Sequence, residues 1–257
     1  MNNQQKWVAF YTLLIREILR FSRIWIQTIL PPVITTALYF VIFGHLIGPA
    51  IGQMDGYQYI DFIVPGLIMM TVITNSYANV VSSFYGSKFQ GNIAEMLVSP
   101  TPNWIILAGF IGGGIVRGMA VGIAVTIVSL LFSNLNIAHP FLMISIGILT
   151  SALFSLAGLI NGVYAKSFDD ISIVPTFVLT PLTYLGGVFY SINMLSEFWK
   201  NLSLFNPVLY MVNGFRYGVL GISDIAPWIS FGVLIIFIIA LSTYSLSLLN
   251  KGVGIRS

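Results

Sequence analysis

The sequence contains no cysteine, which excludes disulfide frameworks, thiolate metal sites and cysteine nucleophiles. Charge is almost as scarce, since Asp, Glu, Lys and Arg make up 7% of the 257 residues, against about a quarter in soluble domains. No Gly-Lys dipeptide occurs, so the G-x-x-x-x-G-K-[ST] loop that holds nucleotide phosphates is missing. The two histidines, His45 and His139, fall at ends of different apolar runs, and neither H-E-x-x-H nor G-x-S-x-G accompanies them. No basic patch of the nucleic-acid-binding kind is visible.

What remains is apolar: 57% of the residues are hydrophobic and mean hydropathy is +0.91. The 24 glycines and 11 prolines lie inside apolar stretches, so the composition is not that of a disordered chain. A helix needs about 20 apolar residues to cross a bilayer. Trimmed at their turn residues, the charge-free runs predict six transmembrane helices, at 24–47, 61–83, 104–132, 140–165, 171–190 and 228–249. Ser133, Asn134, Leu135 and Asn136 form the polar turn that divides the longest run. Continuous apolar runs of this length exclude a β-barrel, whose strands alternate over about ten residues. The expected fold is all-α, one polytopic membrane domain over 1–257.

Lys and Arg set the orientation. With the N-terminus inside, Lys6, Arg16, Arg20, Arg23, Lys88, Lys166, Lys251 and Arg256 are cytoplasmic, as is the C-terminus, while Lys200 and Arg216 are outside. Before the first span, Trp7, Phe10, Tyr11, Leu14, Ile18 and Phe21 recur at helical spacing, with Arg16, Arg20 and Arg23 expected on the opposite face. That pattern predicts an amphipathic helix over 3–22 in the inner interface. The order of charges and apolar residues argues against a cleaved signal peptide. The segment 191–224 includes FNPVLYMVNGFRYGVLG, apolar but short, and reads as an external re-entrant or interfacial element.

Polar residues inside the spans are the candidates for function. Thr71, Asn75, Asn79 and Ser82 or Ser83 share one helical face, as do Thr176, Thr180 and Thr183. Each stripe either lines a translocation path or bonds neighbouring helices. Arg117, the sole embedded charge, either snorkels to the inner surface, pairs with Glu95, Asp169 or Asp170, or meets substrate. Pro175 and Pro181 with Gly186 and Gly187 break or kink the fifth helix. Gly114, Gly118 and Gly122, with Gly109/Gly113 and Gly158/Gly162, permit close helix contact within or between protomers. In the loop 86–103, Phe89, Ile93 and Met96/Leu97 stand at helical spacing before Ser99-Pro100-Thr101-Pro102, predicting a short amphipathic cytoplasmic helix.

With six spans, an interface helix, NIAEMLVSPTP in a cytoplasmic loop and FNPVLYMVNGFRYGVLG before the last span, the whole chain resembles the ABC-2-type permeases of ATP-binding-cassette exporters. The resemblance implies a bacterial inner-membrane subunit with no ATPase site of its own. ATP and magnesium would be bound by a separately encoded ATPase dimer, and a second permease subunit, expected to be an identical copy, would complete the path amid membrane lipid. It also implies roles. Phe89, Ile93, Glu95, Met96 and Leu97 would couple to the ATPase, and Thr71, Asn75, Asn79, Thr176, Thr180 and Tyr184 would face the path. Asn206, Pro207, Asn213 and Arg216 would form an outer gate. The exported cargo would be a drug or a lipid-linked or glycan-like amphiphile. An ion-coupled carrier and a non-transporting scaffold are the alternatives left by composition alone.

Overall fold

A computed structural model describes residues 1–133 and 135–254. Asn134 of the polar turn and Arg256 of the cytoplasmic charge set therefore lie outside the described residues. Helix α1 (Asn3–Ser22) opens with a capping box, in which Asn2 Oδ1 accepts from the Gln5 amide at 2.8 Å and Gln5 Oε1 accepts from the Asn2 amide at 2.9 Å. Helix α2 (Trp25–Ile51) follows almost without a break and winds as a π-helix over Phe40–Ile47. A two-residue hairpin, β1 (Gln53–Met54) with β2 (Tyr57–Gln58), then reverses the chain. Asp55 and Gly56 take φ of 49° and 85° there, as a type I′ turn requires. This ribbon is the one departure from an all-helical chain among the described residues.

Helix α3 (Tyr59–Phe89) is the central post, continuing past Ser83 through residues assigned above to the cytoplasmic loop. Helices α4 (Asn92–Val98), α5 (Asn103–Ser129) and α6 (Pro140–Tyr164) follow. Its neighbours reach α3 through glycines. A side chain on Gly118 would strike Ser76 Oγ, one on Gly114 would sit 2.7 Å from Val80 Cγ2, and one on Gly158 would sit 2.6 Å from the Tyr77 carbonyl oxygen. Gly109, Gly112 and Gly113 receive Leu13, Leu14 and Glu17 of α1. The small-residue stripes therefore serve packing inside one protomer, the question that spacing left open.

The run expected as a continuous fifth span over 171–190 is broken. Helix α7 covers 170–184, α-helical at Asp170–Val174 and Thr180–Tyr184 with a π-segment, Pro175–Leu179, between. It ends before Gly187, whose φ of 73° turns the chain. At about 1.5 Å per residue these helical residues cover roughly 22 Å, less than the ~30 Å hydrocarbon core. Among the described residues five helices, α2, α3, α5, α6 and α10, are long and apolar enough to cross a membrane, and α7 is not among them. Helix α8 (Glu197–Ser203), α9 (Pro207–Leu220) and α10 (Pro227–Lys251) complete the chain.

Candidate functional site

Beyond the end of α3, α4 divides its side chains sharply. Ile93 is fully buried in a cluster with Phe84, Phe110, Leu156 and Leu159, and Met96 and Leu97 pack half-buried at its edge. Glu95 and Val98 are exposed, as is Phe89 on the last turn of α3. Ile93 thus anchors the helix instead of presenting itself outward. Val98, 83% exposed, was not singled out in the sequence; its signal was an apolar residue standing directly before the Ser-Pro-Thr-Pro stop. Phe89 lies 5.4 Å centroid to centroid from Phe168, which also meets Tyr85 edge-on at 4.9 Å. Lys88 Nζ donates to the carbonyls of Val163 and Ala165 at 2.6 and 2.7 Å, tying the end of α3 to the end of α6. The following turn is held by Asp170, which accepts from the Lys166 and Ser167 amides while its own amide donates to Ser167 Oγ. The Lys166 amide bond first, then the Ser167 hydroxyl and amide, holds this carboxyl below the usual range.

Deeper, α1 departs from the arrangement its charges suggested. Arg16 and Arg20 do not line a face turned away from the protein. Both reach Glu17, which is 1% exposed, at 2.9 and 3.4 Å. Glu17 is buried because the side-chain-free surface at Gly113 admits it. Arg20 also donates to the Asn79 carbonyl at 2.9 Å and to Asn79 Oδ1 at 2.7 Å, so the interface helix is bolted to α3. Arg117 donates to Asn75 Oδ1 at 3.4 Å, and among the described residues no ion pair joins it to Glu95, Asp169 or Asp170. Arg20 is near enough to Arg117 for the two guanidinium charges to repel.

The two polar stripes have different surroundings. In α3, Thr71 donates to the Ile68 carbonyl, Asn75 to the Thr71 carbonyl, and Asn79 is occupied by Arg20; all three are buried within the chain. Thr176, Thr180 and Tyr184 on α7 are exposed, although Thr180 bonds back to the Pro175 carbonyl. Tyr184 reaches Tyr39 of α2, hydroxyl to hydroxyl, at 3.0 Å. This hydroxyl pair joins the exposed faces of α2 and α7, whereas the α3 stripe is buried.

At the end of the bundle where α3 begins, α9 is buried. Gly214 and Gly218 let it press against Ile146, Ser230 and the backbone of Met143. Pro207 starts it at N1, and Asn206 caps it by accepting from the Val208 amide while donating to the Leu182 carbonyl at 2.7 Å. Asn213 accepts from the Asp224 amide at 2.8 Å. Asp224 gathers Ser191, the Ile192 amide and Asn193. Arg216, 1% exposed, donates to the Gly187 carbonyl at 2.6 Å and lies over the Phe62 ring, 3.9 Å from its centroid. Arg216 and Asn206 thus pin the break after α7 to α9, and Arg216 ties it to α3. Among the described residues no group of three or more His, Asp or Glu could hold a metal ion.

Residues 8–220 match the family described as ABC-2 type transporter. The chain is 58% identical to the inner membrane transport permease YadH of Escherichia coli K12 over 252 residues, 98% of each protein. It is 21% identical to nodulation protein J of Rhizobium leguminosarum bv. viciae over 246 residues, covering 95% of this chain and 94% of that one. Nodulation protein J of Rhizobium meliloti 1021 is 20% identical over 250 residues, 97% of this chain and 94% of that protein. With most of its length matched and its apolar helices arranged around α3, the chain belongs to the ABC-2 type transporter family as a membrane-spanning transport subunit.

Proposed function

We propose that the chain is the permease of an exporter in the bacterial inner membrane, driven by a separately encoded ATPase dimer that binds ATP and magnesium. The observation that carries this reading is the construction of α4. Ile93 locks the helix to the bundle, and Phe89, Glu95 and Val98 are left facing outward on the side where Lys and Arg accumulate. A short helix fixed on one side and bare on the other can be pushed by a soluble partner and pass the displacement to α3, α5 and α6, whose residues surround Ile93. Both termini are then cytoplasmic, α7 with its continuation counts as the fifth of six passes, and α9 enters from the outer side without crossing.

A second copy of the chain would cover the wall of α2 and α7, placing Thr176, Thr180 and Tyr184 at the path and Thr71, Asn75 and Asn79 behind it. Arg216, Asn206, Pro207 and Asn213 would shape the outer end by fixing the turn at Gly187. The cargo class is an amphiphile, as apolar walls with few polar groups favour. The test is affinity purification of tagged chain from its host, with mass spectrometry of the proteins retained. Wild type and Ile93→Val should retain a P-loop ATPase, and Phe89→Asp with Val98→Asp should lose it while keeping a monodisperse elution profile. Retention of the ATPase by the double variant would overturn the assignment of α4.

A further inference from the structure

Between the end of α1, the last turns of α3 and the lead into α4 lies a cavity of about 620 Å³. This is the scale of small-molecule sites rather than of packing defects. Three guanidinium groups line it, those of Arg16, Arg20 and Arg23, with the single carboxylate of Glu17 among them. Two positive charges are therefore left over. Arg16 and Arg20 are held in place by Glu17 and Asn79, whereas Arg23 is exposed and has no ion-pair partner among the described residues. Opposite them stand uncharged donors and acceptors, Ser82, Ser87 and Gln90. The rim is of another character. Leu19, Ile24 and the adjoining Trp25 and Ile26 are 45% to 58% exposed and begin the bare wall of α2. A positively charged, hydroxyl-lined cup thus opens sideways onto an apolar surface at the inner end of a span.

We infer that this cavity binds the phosphate-bearing headgroup of an amphiphile from the inner leaflet, with its chains lying along Ile24 to Ile26. Guanidinium groups suit phosphate through paired N–H donors. Arg23 supplies the free charge, Arg16 and Arg20 the fixed ones, and Ser87 and Gln90 meet the remaining oxygens. A headgroup seated there touches α1, α3 and the approach to α4 together, so occupancy bears on the segment that would engage the ATPase. The inference rests on the inner-interface placement of α1. Lipid retention is measured on the chain without its partner ATPase, and ATPase copurification is measured separately, so failure of the headgroup site is distinguishable from failure of the coupling reading.

The experiment uses the full chain in phosphatidylcholine nanodiscs titrated with phosphatidylglycerol, and native mass spectrometry counts lipids retained per protomer. Wild type should retain one phosphatidylglycerol in preference to phosphatidylcholine. Arg23→Gln should lower that preference about fivefold, the scale of one basic side chain near an anionic headgroup. Lys6→Gln removes an inner-interface charge outside the cavity and should change the preference little. Ser87→Leu, which fills the cup without altering charge, should lower retention as Arg23→Gln does. Equal retention of the two lipids by wild type, or equal loss from Lys6→Gln and Arg23→Gln, would overturn the site. Inorganic phosphate is the competing arm. Failure of millimolar phosphate to displace the lipid supports an amphiphile, whereas complete displacement would show a free-anion site and overturn the lipid assignment.

Discussion

Helices α2 and α3 look alike as apolar runs, yet 17% of the apolar window of one is buried and 72% of the other. Helix α3 meets glycines of α5 and α6, and its Thr71, Asn75 and Asn79 bond to its backbone, to Arg117 or to Arg20. Helix α2 turns Ile26, Leu30, Ile34 and Leu38 away from the chain, each about half exposed. Both have the composition to cross a membrane, but only α3 is enclosed by its own protomer. The difference teaches that hydropathy reports the solvent a helix tolerates and says nothing of whether protein or lipid surrounds it.

The comparison can be broken most forcefully at the enclosed helix. Gly158→Leu drives a side chain into the Tyr77 carbonyl and should cost more than about 3 kcal/mol, since backbone cannot yield as a side chain does. Loss of the folded fraction in fluorescence-detected size exclusion would show it, while Ile34→Leu on α2 should leave the profile unchanged. Arg216→Ala comes next, leaving the Gly187 carbonyl unpaired and a void beside Phe62. It should lower stability by about 2 to 4 kcal/mol in a thermal or denaturant assay in detergent. Arg216→Met should recover most of that loss, because a shape-filling apolar side chain avoids the cost of burying charge.

A smaller effect is expected at the hydroxyl pair linking the bare wall. Tyr184→Phe removes one bond to Tyr39 and should cost about 0.5 to 1 kcal/mol, with the same loss from Tyr39→Phe and no further loss from both together. The smallest effect is at Asp170. Its folded pKa lies below the unfolded one, so its contribution is present above the unfolded pKa and lost as pH falls through the folded value. Asp170→Asn should remove that acid-side dependence, read as a flatter melting temperature between neutral and acidic pH, and leave the neutral-pH bundle intact.

Much of the frame was legible because charge and turn residues punctuate it. Helix α1 was readable from Trp7 to Phe21, and α6 and α10 from their uninterrupted apolar runs bounded by Pro140 and Lys251. The existence of a short helix after Phe89 was legible from the spacing of Ile93 and Met96, but not which of its residues would be bare, since burial of Ile93 depends on Phe84, Phe110 and Leu159 from three other helices. The end of α7 was misplaced for a comparable reason. Pro175, Pro181 and Gly187 announced weakness, but where the chain turned was fixed by Arg216 and Asn206 arriving from α9.

The sequence by itself determined that this chain lives in a bilayer, carries no nucleotide site of the P-loop kind and runs as long helices, because these follow from composition and local period, which need no knowledge of neighbours. Only the tertiary structure decided that Glu17 is enclosed between two arginines, that the glycine stripes serve contacts within one protomer, and that Asn75 and Asn79 are answered by arginines. A charge or a missing side chain acquires its meaning from what is brought against it, and these partners lie tens of residues away along the chain.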